Sequence, residues 1–134
     1  MKFLVIDDFS MVRYLLKMNL KDFQNCEIEE AESGEVAVSK MRKAAAEGKP
    51  FDLIFCDWNM PNINGMGVLS ACQSDPLLKN IVFVMMTADA DPGSVQQAKS
   101  AGVHDYLIKP WIPSTLHAIV DRFSSGERAT TKAA

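Results

Sequence analysis

Phe51-Asp52-Leu53-Ile54-Phe55-Cys56-Asp57-Trp58-Asn59-Met60-Pro61 decides how the chain folds. Leu53 to Cys56 is an unbroken apolar run, which suits a strand covered on both faces. The run stops at a carboxylate, Asp57. Pro61 follows shortly and cannot continue a central strand. A buried strand with an acid at its carboxyl end and a turn behind it is where open α/β sheets hold ligands.

Working outward, Lys2 to Ile6 predicts a first buried strand, ending at Asp7-Asp8. Ser10 is placed to cap a helix carrying Met11, Leu15, Met18 and Phe23 at roughly helical spacing. Glu27 to Ala31 is acidic and only partly apolar, which suits a sheet edge. Ser33 can cap a second helix with Val36, Ala37, Met41 and Ala44 on one side, stopped by Gly48-Lys49-Pro50. Beyond the central strand, Gly65 to Ser74 predicts a helix with Val68, Leu69 and Cys72 inward, broken by Asp75-Pro76. Ile81 to Thr87 is another fully apolar strand. Pro92-Gly93 opens a short helix to about Ser100, and Gly102 closes it. Asp105 to Ile108 predicts a short strand ending at Lys109-Pro110. Ser114 caps a last helix with Leu116, Ile119, Val120 and Phe123 at i, i+3, i+4, i+7. From Ser124 the residues are small and polar, predicting a disordered tail over 124–134 behind one domain over 1–123.

Strand and helix alternate five times, which implies a parallel sheet with helices on both faces. The three most apolar strands belong at its centre, the acidic and the short one at its edges. With right-handed crossovers, the doubly wound order 2-1-3-4-5 with five helices meets both demands. Its ligand crevice lies between the first and third strands. A chain of 134 residues supports one such core. A net charge of −3 leaves no basic footprint for nucleic acid. No apolar run approaches the ~20 residues that span a bilayer, and the N-terminal one is too short for a signal peptide. Cys26, Cys56 and Cys72 form an odd set without a Cys-x-x-Cys, as expected of reduced, mostly buried thiols in a cytoplasmic protein.

In a parallel sheet all carboxyl ends share one rim. Here they carry Asp7 and Asp8, Asp57, Thr87 and Lys109. Taken singly, each has an ordinary reading as helix cap, turn acid, strand terminator or solvated turn. Taken together, three carboxylates that repel one another call for a divalent cation with oxygen ligands, and Mg²⁺ suits. A lysine beside them adds a compact positive charge. A carboxylate nucleophile, Mg²⁺, a lysine and a hydroxyl make a phosphoryl-transfer site, with Asp57 forming an acyl phosphate. A Gly-rich phosphate loop is absent from the sequence, so a nucleotide is not expected.

Asp7-Asp8, Asp57, Thr87-Ala88 and Lys109-Pro110, at these strand ends, resemble the receiver domain of two-component response regulators over about residues 2–123. Asp8-Phe9-Ser10 and Asp57-Trp58-Asn59-Met60-Pro61-Asn62 are most similar to the single-domain chemotaxis response regulators. The resemblance implies a flavodoxin-like fold with Asp57 as phosphoacceptor. It implies Mg²⁺ (or Mn²⁺) held by Asp8, Asp57 and the Asn59 carbonyl, with Asp7 acting through water. Thr87 and Tyr106 become a coupled switch pair, Lys109 pairs with the phosphoryl group, and the Lys109-Pro110 bond is expected to be cis. Asn59 and Asp89 modulate hydrolysis of the acyl phosphate, and a polar pair there implies a short-lived phosphorylated state. The implied donor is a histidine kinase or phosphotransfer protein, and a downstream protein reads residues 89–123 of a monomer.

The chain departs from the chemotaxis pattern in a longer stretch from Arg42 to Pro50, in Ile112-Pro113, and in Asp89 to Gln97. Trp58 and Trp111 are expected as exposed or partner-contacting aromatics, and His104 and His117 as surface or edge histidines. Two other functions compete. An aspartyl-phosphate hydrolase would want a second acid two residues past the nucleophile, where Asn59 stands. A nucleotide-binding relative of flavodoxin would want a phosphate loop where Asp7-Asp8 puts negative charge.

Overall fold

A computed structural model describes residues 1–88 and 91–124. Asp89 and the expected tail from residue 125 lie outside the described residues, while Ser124 is the last residue of a helix. The strands are β1 (Lys2–Ile6), β2 (Glu27–Ala31), β3 (Leu53–Asp57), β4 (Val82–Thr87) and β5 (Asp105–Ile108). They alternate with α1 (Ser10–Leu20), α2 (Gly34–Ala46), α3 (Gly65–Ser74), α4 (Pro92–Ala101) and α5 (Pro113–Ser124). The five strands form one parallel sheet in the order β2-β1-β3-β4-β5. The apolar runs occupy the middle, and the acidic and four-residue strands take the edges, as expected.

Period-two alternation divides the core into two layers. Leu4, Ile6, Ile54, Cys56, Phe83 and Met85 pack on one face with Ala37, Met41, Val68 and Leu69 from α2 and α3. Phe3, Val5, Leu53, Phe55, Val84 and Met86 pack on the other with Leu16, Leu20, Leu116 and Val120 from α1 and α5. Both faces of β3 and β4 are therefore buried, which explains their unbroken apolar sequences.

Local signals fix several ends. The Ser33 hydroxyl accepts from the Val36 N–H at 3.1 Å, as expected of a cap. Asn64 does the same for α3, accepting from Gly67 at 3.0 Å. Asp91 caps α4, and Gly102 ends it at φ +105°, a left-handed conformation that suits glycine.

Helix α1 corrects two expectations. Ser10 is its first residue rather than its cap. Phe9 holds the cap position, without a side-chain cap bond, and donates its N–H to the Asp7 carboxylate at 2.9 Å. The inward stripe is also different. Leu16 and Leu20 are fully buried, with Val12 and Phe23 beside them. Met11, Leu15 and Met18 face outward, at 65%, 47% and 48% exposure. The helix carries two apolar stripes side by side, and periodicity alone does not say which one meets the sheet. Leu16→Ala is therefore expected to cost about 2–5 kcal/mol, and Leu15→Ala to stay within about 0.5 kcal/mol. Urea denaturation of the two variants checks the order, and a reversal would mean the helix is rotated.

Candidate functional site

The register brings the site together. Ile6 of β1 lies beside Cys56 of β3, so Asp7 and Asp57 follow side by side at the rim. Both are buried, Asp7 fully and Asp57 to 5% exposure. Buried charges are costly unless paired and hydrogen-bonded. Asp7 meets that demand at every atom. Its N–H donates to the Ala31 carbonyl at 3.1 Å. One carboxylate oxygen accepts from Phe9, and the other from the Lys109 ammonium at 2.7 Å. The same ammonium lies 3.1 Å from Asp57 Oδ1. The Asn59 backbone N–H also reaches the Asp57 carboxylate. Lys109 arrives from the end of β5, and the bond to Pro110 is cis.

Asp8 stands exposed at the mouth of the cluster. One carboxylate oxygen each from Asp7, Asp8 and Asp57 fall within 4.8 Å of one another. Three hard oxygen donors facing one ammonium leave an excess of negative charge. That is the donor set a Mg²⁺ or Mn²⁺ ion takes, so these residues fit the cation.

Gly65 permits the close packing behind Asp57. Its N–H donates to the Trp58 carbonyl at 2.8 Å. A Cβ there would fall 2.7 Å from the Asp57 carbonyl and 2.9 Å from Trp58 Cα. Only glycine lets α3 begin this close to the strand end.

Electrostatics sort the two central groups differently. Burial raises the Asp57 pKa, and the Asp7 charge adds to it, against the opposing pull of Lys109 and the Asn59 N–H. Burial pulls Lys109 down, but its hydrogen bond to Asp7 and the charges of both carboxylates outweigh this, so it sits above its ordinary value and stays cationic. The neighbouring Cys56 thiol is pushed well up by burial and then by Asp57, which leaves it inert.

The remaining expected residues are placed as follows. Thr87 is buried at the end of β4, one residue past Met86, which pairs with Asp57. Tyr106 is half-buried, with its ring centroid 6.5 Å from that of Trp58 at an interplanar angle of 80°. Trp58 is likewise half-buried against the core, because the rings cover one another's edges. Asn59 is exposed beside Asp57. Trp111 is half-buried and donates its Nε1–H to Asn19 at 2.8 Å. His104 accepts from the Phe83 N–H through Nδ1 at 3.0 Å, and His117 Nε2 lies 3.0 Å from Asp22. His104 thus partners the backbone of β4, and His117 a carboxylate just beyond α1.

One residue near the site escaped the sequence reading. Arg13 donates from Nη1 to the Asp7 carbonyl at 2.7 Å and from Nε to Glu30 at 2.9 Å. The available signal was an arginine one turn into the helix after the acid pair, opposite an acid on the neighbouring strand.

Because the folded-state pKa of Asp57 is raised, folding favours its protonated form. Its ionised form weakens the fold at pH values above the folded pKa. In metal-free protein, Asp57→Asn is expected to raise Tm at pH 7. The gain should shrink as pH falls through the folded pKa towards the ordinary value of 3.8. A Tm at pH 7 equal to or below wild type would contradict this.

The family model for the response regulator receiver domain matches residues 3–121. The chain is 34% identical to chemotaxis protein CheY-3 of Vibrio cholerae serotype O1 over 122 residues, covering 91% of this chain and 90% of that protein. It is 33% identical to chemotaxis protein CheY of Pseudomonas aeruginosa, covering 91% of this chain and 94% of that protein. The solved chemotaxis response regulator CheY4 of Vibrio cholerae matches with a TM-score of 0.79 at 31% identity, over 90% of this chain and 96% of that one. With its strand order, its rim of three aspartates and a lysine, and these matches along nearly its whole length, the chain belongs to the response regulator receiver domain family.

Proposed function

We propose that the protein is a phosphorylation-controlled signalling switch whose receiver domain spans residues 1–123. It takes a phosphoryl group onto Asp57 from a histidine kinase or phosphotransfer protein and signals by protein contacts. The observation that carries this reading is the Lys109 ammonium shared by Asp7 and Asp57, with Asp8 completing the acid cluster.

The chemistry follows from charge. One Asp57 carboxylate oxygen attacks phosphorus, the bond from phosphorus to the donor nitrogen breaks, and the donor imidazole keeps that electron pair. Asp8, Asp57 and the Asn59 carbonyl would hold a divalent cation, with Asp7 acting through water, and the cation would neutralise charge on the phosphoryl oxygens. The Lys109 ammonium, held cationic by its two carboxylates, faces the same oxygens. The Thr87 hydroxyl donates to one of them. Moving Thr87 towards the phosphoryl group vacates space beside Tyr106, whose ring follows. The face over residues 89–123 then reports the state to a downstream protein. Asn59 and Asp89 modulate hydrolysis of the acyl phosphate, and a polar pair at these positions makes the signal brief. The protein turns over only its own phosphoryl group and acts as a cytoplasmic monomer. The names of its chemotaxis relatives point to motility as the process.

The test is incubation with Mg²⁺ and acetyl phosphate, followed by intact mass and Trp58 fluorescence. One phosphoryl adduct is expected, absent in Asp57→Asn and absent when Mg²⁺ is chelated. An adduct that survives Asp57→Asn would sink the proposal. A phosphoryl lifetime of many hours would remove the role given to Asn59 and Asp89.

A further inference from the structure

The two acids after β1 are held very differently. Asp7 is anchored through its N–H, its carbonyl and both carboxylate oxygens. Asp8 is exposed, and its direction depends on the plane of the Asp7–Asp8 peptide. The carbonyl of that peptide is held by Arg13. The arginine is itself fixed, with its side chain at 15% exposure, because Nε donates to Glu30 on β2. Glu30 also takes the Lys17 ammonium at 2.8 Å, so two residues of α1 converge on it. The guanidinium thus spans from the edge strand to the backbone between the acids. A planar fork does this; a point charge does not.

We propose that Arg13 is a positioning residue for the metal-binding acids. Its guanidinium fixes the Asp7–Asp8 peptide and so sets where the Asp8 carboxylate stands relative to Asp57. This rests on the metal-dependent reading above. Groups that orient metal ligands without touching the metal commonly matter about 10–100-fold in affinity.

A competing effect has the opposite sign. Arg13 is a cation near the cluster, so its removal by charge alone would draw a divalent cation more tightly. Arg13→Met therefore separates the two. Positioning predicts Mg²⁺ binding about tenfold weaker, read as the concentration dependence of Trp58 fluorescence. Arg13→Lys keeps the charge but loses the fork, and should also bind more weakly.

A second readout needs no metal. The Asp7 carbonyl and the Asp8 amide belong to one peptide, so losing the hydrogen bond on the carbonyl should move the Asp8 ¹⁵N resonance upfield in metal-free Arg13→Met. Thermal denaturation of both variants shows whether they fold. Folded variants that bind Mg²⁺ as tightly as wild type, or more tightly, overturn the proposal. So does an unmoved Asp8 resonance. Failure of the wild type to bind Mg²⁺ would overturn the functional reading itself, and the positioning of Asp8 would then be decided by the resonance alone.

Discussion

The Lys109 ammonium between Asp7 and Asp57 is the contact on which the rim depends. The strand register is dictated by apolar burial elsewhere, and it leaves two carboxylates side by side with no choice in the matter. At an effective dielectric of about 20, charges near 3–4 Å interact by roughly 4–6 kcal/mol. Desolvation offsets this by several kcal/mol for each ion. The outcome differs between partners. Lys109 faces two carboxylates, and attraction wins over burial. Asp57 shares its one cation with Asp7, and burial wins. The cluster is therefore poised rather than strongly stabilising. A group that brings positive charge or consumes the Asp57 charge changes its balance.

Constraints radiate from that contact into the backbone. Lys109 donates its N–H to the Thr87 carbonyl at 2.8 Å, which ties β5 to the end of β4. Two residues on, Trp111 engages the Asn19 side chain, and the ring of His117 lies 3.1 Å from the Asn19 carbonyl. Helix α1 is thereby fastened to the loop that carries the lysine. Its outer face bears Met11, Leu15 and Met18, so an apolar stripe runs along a helix tied near its start to the Asp7 carbonyl and near its end to the loop after Lys109.

The sheet and its rim were legible in the sequence because each rests on a strong local signal. Unbroken apolar runs named the central strands, and the residue after each run named the site. Asp7, Asp57, Thr87 and Lys109 all lie where strand alternation put them. What the sequence hid was relational. In α1 two apolar stripes compete, and only packing against Phe3 and Phe55 on the sheet chooses Leu16 over Leu15. Ser10 had the chemistry of a cap, but the Arg13 N–H donates to the Phe9 carbonyl, which sets the cap one residue earlier. Trp58 and Tyr106 shield one another across β3 and β5, a contact that neither residue announces by itself. Arg13 is silent until the pairing of β1 with β2 puts Glu30 within its reach.

The two margins of the sheet carry a consequence of their own. On one side β2 presents Glu27, Glu29 and Glu30 in a five-residue strand. On the other β5 is four residues long. The Lys40 ammonium already donates to the Glu30 main-chain carbonyl of β2, and β5 offers few main-chain groups to pair with. Extension of the sheet by a visiting strand is disfavoured at both margins. Under the proposed switch, recognition is therefore left to side chains on helices and rim loops.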